Sequence, residues 1–140
     1  LFVNRNFNRE IIKKYLNKIG HVMVQKFLPK VKFGDKRVFI LNGKVKGAIK
    51  RVPSKGSILS NISQGGKATK TLLNKKELYL ANFIARKLKK KKIFFAGIDL
   101  ISNYLIGDIN ITSPTGLPQY KNLTSINLAK NFWDEAEKLK

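Results

Sequence analysis

The sequence contains no cysteine among its 140 residues and only one histidine, His21. Without cysteine the chain can form no disulfide, no thiolate nucleophile and no cysteine-based zinc site. One histidine also makes zinc chemistry remote, and we expect His21 to lie at a strand edge with no chemical role. No apolar run approaches the roughly 18 residues that a membrane helix needs, and the first residues do not resemble a signal peptide. We therefore expect a cytoplasmic protein without a membrane partner.

Acidic residues are scarce as well, since 8 Asp and Glu stand against 29 Lys and Arg, giving a net charge of +21. Such an excess is typical of polyanion-binding proteins, so a basic nucleic-acid-binding module is one hypothesis. The lysines, however, are spread along the whole chain. Their densest run, residues 89–92, ends a predicted helix, where cations complement the helix dipole. The recognition motifs of the common nucleic-acid-binding folds are absent, and we favour a solvated, lysine-rich surface with no nucleic-acid partner.

Hydrophobic residues make up 43% of the chain, which is ordinary for a globular domain with one core. Periodicity, capping and turn signals predict the elements of the first half: a strand over 1–3, a helix capped by Asn8 and ending near Ile19, a strand over 21–28, and a hairpin over 36–52 that turns at Asn42-Gly43. A loop over 54–71 follows. The second half is predicted to contain a helix opened by a capping box of Asn74 and Glu77, strands over 93–101 and 104–112, and a last helix capped by Thr124 or Ser125. This order predicts an α+β fold, with an antiparallel sheet backed by helices.

Hard oxygen ligands occur on the last two predicted strands, at Asp99, Asp108 and Asn110. Asp108 and Asn110 are two residues apart, so both point to the same face of their strand. Mg²⁺ takes one or two carboxylates, keeps several waters and is usually completed by substrate phosphates. The residues alone leave two interpretations open: a magnesium site, or Asp and Asn side chains that only form turns.

Two arginines, Arg37 and Arg51, fall on the two strands of the predicted hairpin, and we expect them to be cross-strand neighbours. Two guanidiniums held together need an anion between them, usually a carboxylate or a phosphate. The alternative is that both are solvated hairpin charges.

A glycine-rich stretch covers residues 60–69 and includes Gly65 and Gly66. The backbone N–H groups of such a loop can cradle a phosphate, although the GxxxxGK[ST] spacing of a P-loop is missing. A surface loop without a ligand is the alternative interpretation.

Four segments, VQKFLPKVKFGDKRVFILNGKVKGAIKRVPSKG, NISQGG, GIDLI and DINITSPTGL, together resemble the carboxyl-terminal part of a prokaryotic-type glutathione synthetase, an ATP-grasp ligase. The resemblance runs from about Val22 to the end of the chain, and its most specific piece is DINITSPTGL combined with GDKRV. It implies the carboxyl-terminal ATP-grasp subdomain as the fold. We expect residues 1–140 to be a partial ATP-grasp domain that lacks the family's amino-terminal substrate domain and first ATP-grasp subdomain, and to be inactive alone.

This resemblance implies an enzyme of glutathione biosynthesis. Such an enzyme uses ATP to phosphorylate a carboxylate of γ-glutamylcysteine, and the amine of glycine then attacks the acyl phosphate. The implied cofactors are ATP and Mg²⁺ or Mn²⁺, the substrates are small molecules, and the full-length protein is expected to be a homo-oligomer. Another ATP-grasp amino-acid or peptide ligase is the nearest alternative.

The resemblance also assigns roles to individual residues. It implies that Arg37 and Arg51 are catalytic arginines that bind the substrate carboxylate and the acyl phosphate. The implied ligands of two Mg²⁺ ions are Asp99, Asp108 and Asn110. The implied nucleotide-binding residues are Gln25, Lys26, Phe27 and Leu28 at the adenine, Asp35 near the ribose, Asn61 beside the phosphates, and Gly65 and Gly66 in a loop that folds over the site. Asp108 departs from the family pattern, which usually has Glu there, but a shorter carboxylate can still bind Mg²⁺.

Overall fold

A computed structural model describes residues 8–22, 24–55, 57, 60, 62, 65–102 and 105–139. Its helices are α1 (Arg9–Ile19), α2 (Lys75–Lys90), α3 (Leu117–Thr124) and α4 (Leu128–Ala136), with short 3₁₀ helices at Pro29–Phe33 and Glu137–Leu139. Its strands are β1 (Asp35–Leu41), β2 (Lys44–Val52), β3 (Lys67–Lys70), β4 (Phe95–Ile101) and β5 (Leu105–Asn110). They form one antiparallel sheet in the order β3-β2-β1-β4-β5. The predicted α+β fold is confirmed.

Three local signals in the sequence produce the structures that they predict. Asn42 and Gly43 have φ of 47° and 72° between β1 and β2, the positive values that a two-residue hairpin turn requires. The Asn74 side chain accepts a hydrogen bond from the Glu77 N–H at 2.9 Å, and the Glu77 carboxylate accepts one from the Asn74 N–H at 2.8 Å. Asn8 caps α1. Among the described residues, no helix has the length and apolar character to cross a membrane.

Other predicted elements are wrong or misplaced. In the expected strand over 21–28, the described residues pair with no strand and are mostly exposed, because an apolar run becomes a strand only where a neighbouring strand packs beside it. The expected loop over 54–71 contains the edge strand β3, whose polar residues show no alternation. Helix α3 was not predicted. The predicted last helix corresponds to α4, which begins at Leu128 and is capped by Asn127 rather than by Thr124 or Ser125. The strand expected over 1–3 lies outside the described residues.

The sheet has two faces because alternate residues of each strand point to opposite sides. One face packs against α2 in a core of Val38, Ile40, Ala48, Ala81, Ile84, Ala85, Leu88, Ala96, Ile98 and Leu100. On the other face, Phe39 and Ile49 pack with Tyr120 of α3 and Leu128 of α4. We call these four residues the apolar half of that face.

A glycine lets helix α3 approach the sheet closely. A Cβ at Gly47 would overlap the Tyr120 hydroxyl, so glycine is needed where the tyrosine crosses β2. The Phe39 and Tyr120 rings then meet edge to face, with centroids 5.5 Å apart.

Candidate functional site

The register of the sheet brings five charged side chains into two adjacent rows. Asp35 is opposite Arg51 in one row, and Arg37 is opposite Asp99, which is opposite Asp108, in the other. Directly opposite residues share a face, and Asp35 and Arg37 are two positions apart on β1, so both rows lie on the face that carries the apolar half. We call these five residues the charged half.

Four of these residues form a buried network of ion pairs. Arg37 donates from Nε to Asp99 Oδ1 at 2.5 Å and from Nη2 to Oδ2 at 3.0 Å. Arg51 donates from Nε and Nη2 to the two oxygens of Asp35, each at 2.7 Å, and its Nη2 also lies 2.8 Å from Asp99 Oδ2. None of the four residues is more than 8% exposed. Two positive and two negative charges balance, which makes their removal from water tolerable.

The two arginines are therefore not direct cross-strand partners, since Arg37 faces Ile49 across the hairpin. That expectation is wrong in register but right in its chemistry. An anion does join the two guanidiniums, and it is the carboxylate of Asp99 on β4, which a sequence reading of the hairpin alone could not supply. The alternative of solvated hairpin charges is excluded by their burial, since Arg37 is 3% exposed and Arg51 is 2% exposed.

Burial and neighbouring charges shift the pKa values of Asp35 and Arg51 in this network. Burial raises the pKa of Asp35, with the nearby Asp99 charge adding to the effect and Arg51 opposing it. For Arg51, burial favours the neutral form, but hydrogen bonds and charges from Asp35 and Asp99 outweigh it and raise its pKa. The Arg51 guanidinium thus stays charged in the interior.

Two glycines make room for the arginines, and the sequence analysis assigned neither of them a role. A Cβ at Gly97 would lie 2.9 Å from Arg37 Nη1 and 3.1 Å from Pro114 Cβ, so glycine lets the guanidinium cross β4. Gly34, with φ of 89°, would bring a Cβ into the carbonyl of Arg51. A glycine inside a strand is the available signal for such a close approach.

One atom of the network lacks a partner. Arg37 Nη1 is buried and has no hydrogen bond among the described residues. An unsatisfied buried donor costs about 1–3 kcal/mol, so Arg37 is held in a position that is not optimal for its own hydrogen bonding.

The expected metal ligands have unequal surroundings. Asp108 is exposed, and no described residue forms a hydrogen bond or ion pair with its carboxylate. The Asn110 Oδ1 accepts from the N–H groups of Thr112 at 3.1 Å and Ser113 at 3.0 Å, so Asn110 does form the turn that the alternative interpretation predicts. Asp99 is already engaged by two arginines.

The described residues contain no cluster of three or more acidic, histidine or cysteine side chains that could hold a metal by itself. Mg²⁺ does not need such a cluster, because one or two carboxylates suffice when nucleotide phosphates and waters complete the shell. Asp108 with its free oxygens, beside Asp99 on the neighbouring strand, fits that requirement.

One residue of the segment expected at the adenine, Gln25, contacts β5. Gln25 Nε2 approaches the Gly107 carbonyl at 3.5 Å, a long contact. Gln25, Lys26 and Phe27 are exposed and Leu28 is half-buried. Gln25 therefore lies near the strand that carries Asp108.

The described end of the glycine-rich stretch lies at the opposite edge of the sheet. Ser54 donates from its hydroxyl to the Gly65 carbonyl at 2.7 Å, and Gly66 is buried just before β3. Ala68 of β3 is opposite Arg51, so the stretch ends beside the charged half. Asn61 lies outside the described residues.

A buried ion pair supports the site from beneath. Lys36 lies between Asp35 and Arg37 on β1, points to the opposite face, and donates to Glu77 Oε2 at 2.7 Å and to the Leu72 carbonyl at 3.0 Å. Glu77 is 1% exposed. The capping box of α2 thus also fixes the strand that carries the site, which the sequence analysis did not anticipate.

The family model and the curated relatives that match this chain all point to one protein family. The family model described as "Prokaryotic glutathione synthetase, ATP-grasp domain" matches residues 3–125. The glutathione synthetase of Prochlorococcus marinus subsp. pastoris is 46% identical over 104 residues, covering 74% of this chain and 34% of that protein. Those of Rhodopseudomonas palustris and Synechocystis sp. are 39% and 35% identical, covering 82% and 91% of this chain and 36% and 39% of those proteins. The chain spans little more than a third of the length of these relatives.

Proposed function

We propose that the charged half is the phosphate-binding end of a ligase's nucleotide site. The chain belongs to the prokaryotic glutathione synthetase family and matches its ATP-grasp domain. The observation that carries the proposal is the buried arginine and aspartate network with the exposed Asp108 at its rim. These side chains offer guanidiniums for anionic oxygens and an exposed carboxylate for a cation on the same face of the sheet.

The reaction we propose joins γ-glutamylcysteine to glycine at the expense of ATP. A carboxylate oxygen of γ-glutamylcysteine attacks the γ-phosphorus, the bond to the β–γ bridging oxygen breaks, and ADP leaves. The glycine nitrogen then attacks the acyl carbon, phosphate departs with the bonding electron pair, and the amine loses a proton as the amide forms. We propose this activity for the whole protein, with residues 1–140 as a partial ATP-grasp domain that is inactive alone.

The proposed roles follow from where each side chain lies. Arg37 and Arg51 bind the substrate carboxylate and the acyl phosphate, because their planar guanidiniums match the geometry of such anions. Asp108 would hold Mg²⁺ or Mn²⁺ with Asp99 beside it, and Asn110 is the third proposed ligand. A bound Mg²⁺ supplies charge neutralisation on the phosphates.

The remaining nucleotide contacts also stay proposals. Residues 25–28 pack on the adenine beside β5, and Asp35 lies toward the ribose while it holds Arg51. Asn61 lies beside the phosphates. Gly65 and Gly66 close over the site and exclude water, which protects an acyl phosphate from hydrolysis.

We further propose small molecules as the partners, rather than nucleic acid or membranes, a cytoplasmic location and a homo-oligomer for the full-length protein. Another ATP-grasp amino-acid or peptide ligase would use the same charged half. Substrate-dependent ADP release by the full-length protein separates the two, because a glutathione synthetase requires γ-glutamylcysteine and glycine together.

The test of the nucleotide site itself is thermal unfolding of this chain with and without Mg²⁺-ATP. A ligand present at about 100 times its Kd stabilises the folded state by about 2.7 kcal/mol, which for a chain of this size raises Tm by about 5 °C or more. Asp108→Asn should lose that rise, because it removes an exposed ligand without disturbing the buried pairs. Asp134→Asn, which removes an exposed carboxylate of α4, should keep it. An equal rise in both variants would contradict the proposed site.

A further inference from the structure

The Asp99 carboxylate binds two arginines of the charged half and also lies where a cation could bind. Its Oδ1 accepts from Arg37 Nε, and its Oδ2 accepts from Arg37 Nη2 and lies 2.8 Å from Arg51 Nη2. The same carboxylate lies directly opposite Asp108, the exposed carboxylate suited to a cation. A cation between Asp99 and Asp108 would therefore compete with both guanidiniums for the oxygens of Asp99.

We propose that Asp99 couples cation binding to anion binding. A divalent cation draws Asp99 away from Arg37 and Arg51, and the released guanidinium N–H groups then bind an anionic oxygen, such as one of a phosphate. The inference rests on the proposed function for the location of the cation. Without the cation, the Asp99 carboxylate stays hydrogen-bonded to the guanidinium groups of both arginines, and phosphate binding is weaker because these donors are already used. Binding of cation and anion is thus positively cooperative, and each strengthens the other by the same factor.

The orphaned nitrogen of Arg37 supports this inference independently. Arg37 has 4% of its side chain exposed, and its Nη1 is buried without a hydrogen-bond partner among the described residues. The pairing with Asp99 therefore leaves one donor of Arg37 unused. Nη1 and Nη2 form the second edge of the guanidinium, so an anion that binds at that edge gains a hydrogen bond from Nη1 that the pairing with Asp99 does not use.

Charge balance favours the same exchange. The network of Arg37, Arg51, Asp35 and Asp99 is neutral as it stands, so a divalent cation alone would leave it with excess positive charge. A phosphate that binds with the cation restores the balance. Because burial in a low-dielectric interior strengthens each of these interactions, neither ligand should bind well without the other.

The experiment uses the 15.9 kDa chain, MgCl₂ and inorganic phosphate, with NMR detection of the arginine Nε–H groups and of phosphate binding. At constant ionic strength, Mg²⁺ should tighten phosphate binding about tenfold, within the usual range of coupling between sites. Mg²⁺ alone should already shift the Arg37 and Arg51 Nε–H resonances. Non-specific phosphate binding to a chain of net charge +21 would instead weaken as Mg²⁺ is added.

Two variants isolate the coupling. Asp99→Asn, which leaves Asp108 in place, should bind phosphate without Mg²⁺ about as well as the parent chain does with it. Asp108→Asn keeps all buried pairs but removes the exposed cation ligand, so adding Mg²⁺ should no longer tighten its phosphate binding tenfold. Asp134→Asn is the matched control and should behave as the parent chain does.

The outcomes separate this inference from the proposed function. If Mg²⁺ shifts the amide resonances of β5 in an Asp108-dependent way but leaves phosphate affinity and the arginine resonances unchanged, the coupling is overturned and the cation site survives. If Mg²⁺ shifts no resonance of the charged half, the cation site and the coupling both fail.

Discussion

The apolar half and the charged half lie on the same sheet face and share β1 and β2, yet they are finished in opposite ways. Along β1, Arg37 belongs to one and Phe39, two residues further, belongs to the other. Helices α3 and α4 cover the apolar half, whereas the charged half ends at the exposed Asp108. One half is completed by the chain's own side chains. The other balances its charges internally and keeps a carboxylate free for a ligand.

The largest expected effect is on the charged half. Arg51→Met leaves Asp35 and Asp99 buried with only Arg37 to balance them, so we expect a loss of about 3–5 kcal/mol in the free energy of unfolding. Adding Asp35→Leu leaves the balanced pair of Arg37 and Asp99, so the double variant should recover about 2 kcal/mol of that loss. Urea unfolding of both variants measures the difference.

The control for that experiment removes a cation from an exposed pair. Lys130 and Asp134 pair on α4 with side chains that are 69% and 45% exposed, and Lys130→Met should cost less than about 0.5 kcal/mol. If the double variant of the charged half is no more stable than Arg51→Met alone, charge imbalance is not what makes the single change costly.

The same contrast explains what the sequence could and could not predict. The Asn42-Gly43 hairpin and the capping box of Asn74 and Glu77 were predictable, because each depends on residues within four positions of one another. The placement of Asp99 and Asp108 on the last two strands was also correctly expected, whereas their direct facing depends on the register of β4 with β5, which was not predicted. Local rules therefore determine much of the fold and the placement of the two carboxylates.

What the sequence did not predict depends on neighbours distant in the chain. Asp99 joins Arg37 and Arg51 only because β4 lies next to β1, a pairing between residues 62 positions apart. The strand β3 has four residues with no alternation, and its place is set by pairing with β2. The apolar run over 21–28 finds no such partner and forms no strand. Propensity for strand formation takes effect only where the sheet supplies a neighbour.

The second prediction concerns the apolar half. Leu128 is 4% exposed and packs in the cluster with Phe39, Ile49 and Tyr120, so Leu128→Ala should cost about 2–3 kcal/mol. This loss should leave Mg²⁺-ATP stabilisation intact, whereas Arg51→Met should abolish it. Thermal unfolding with and without the nucleotide measures both effects, and Leu139→Ala, at a residue that is 64% exposed, is the control of small effect. Loss of nucleotide stabilisation in Leu128→Ala would show that the two halves are not independent.

The smallest expected effect concerns the ion pair of Lys46 and Glu135, which joins β2 to α4 beside the apolar half at 2.5 Å. Each side chain is 23% exposed, and the hydrogen bond from Lys46 lowers the pKa of Glu135. A lowered folded-state pKa stabilises the protein above the unfolded carboxyl pKa, and this contribution disappears as pH falls through the folded value. Glu135→Gln should therefore cost less than about 1 kcal/mol at pH 7 and nothing near pH 2.

Urea unfolding of Glu135→Gln and the parent chain between pH 2 and pH 7 measures this difference. Its small size distinguishes this partly exposed pair from the buried ones, because Arg51→Met leaves a buried carboxylate without water, whereas water can solvate Lys46 once the charge of Glu135 is removed. A pH-independent difference between Glu135→Gln and the parent would mean that the carboxylate contributes packing rather than charge.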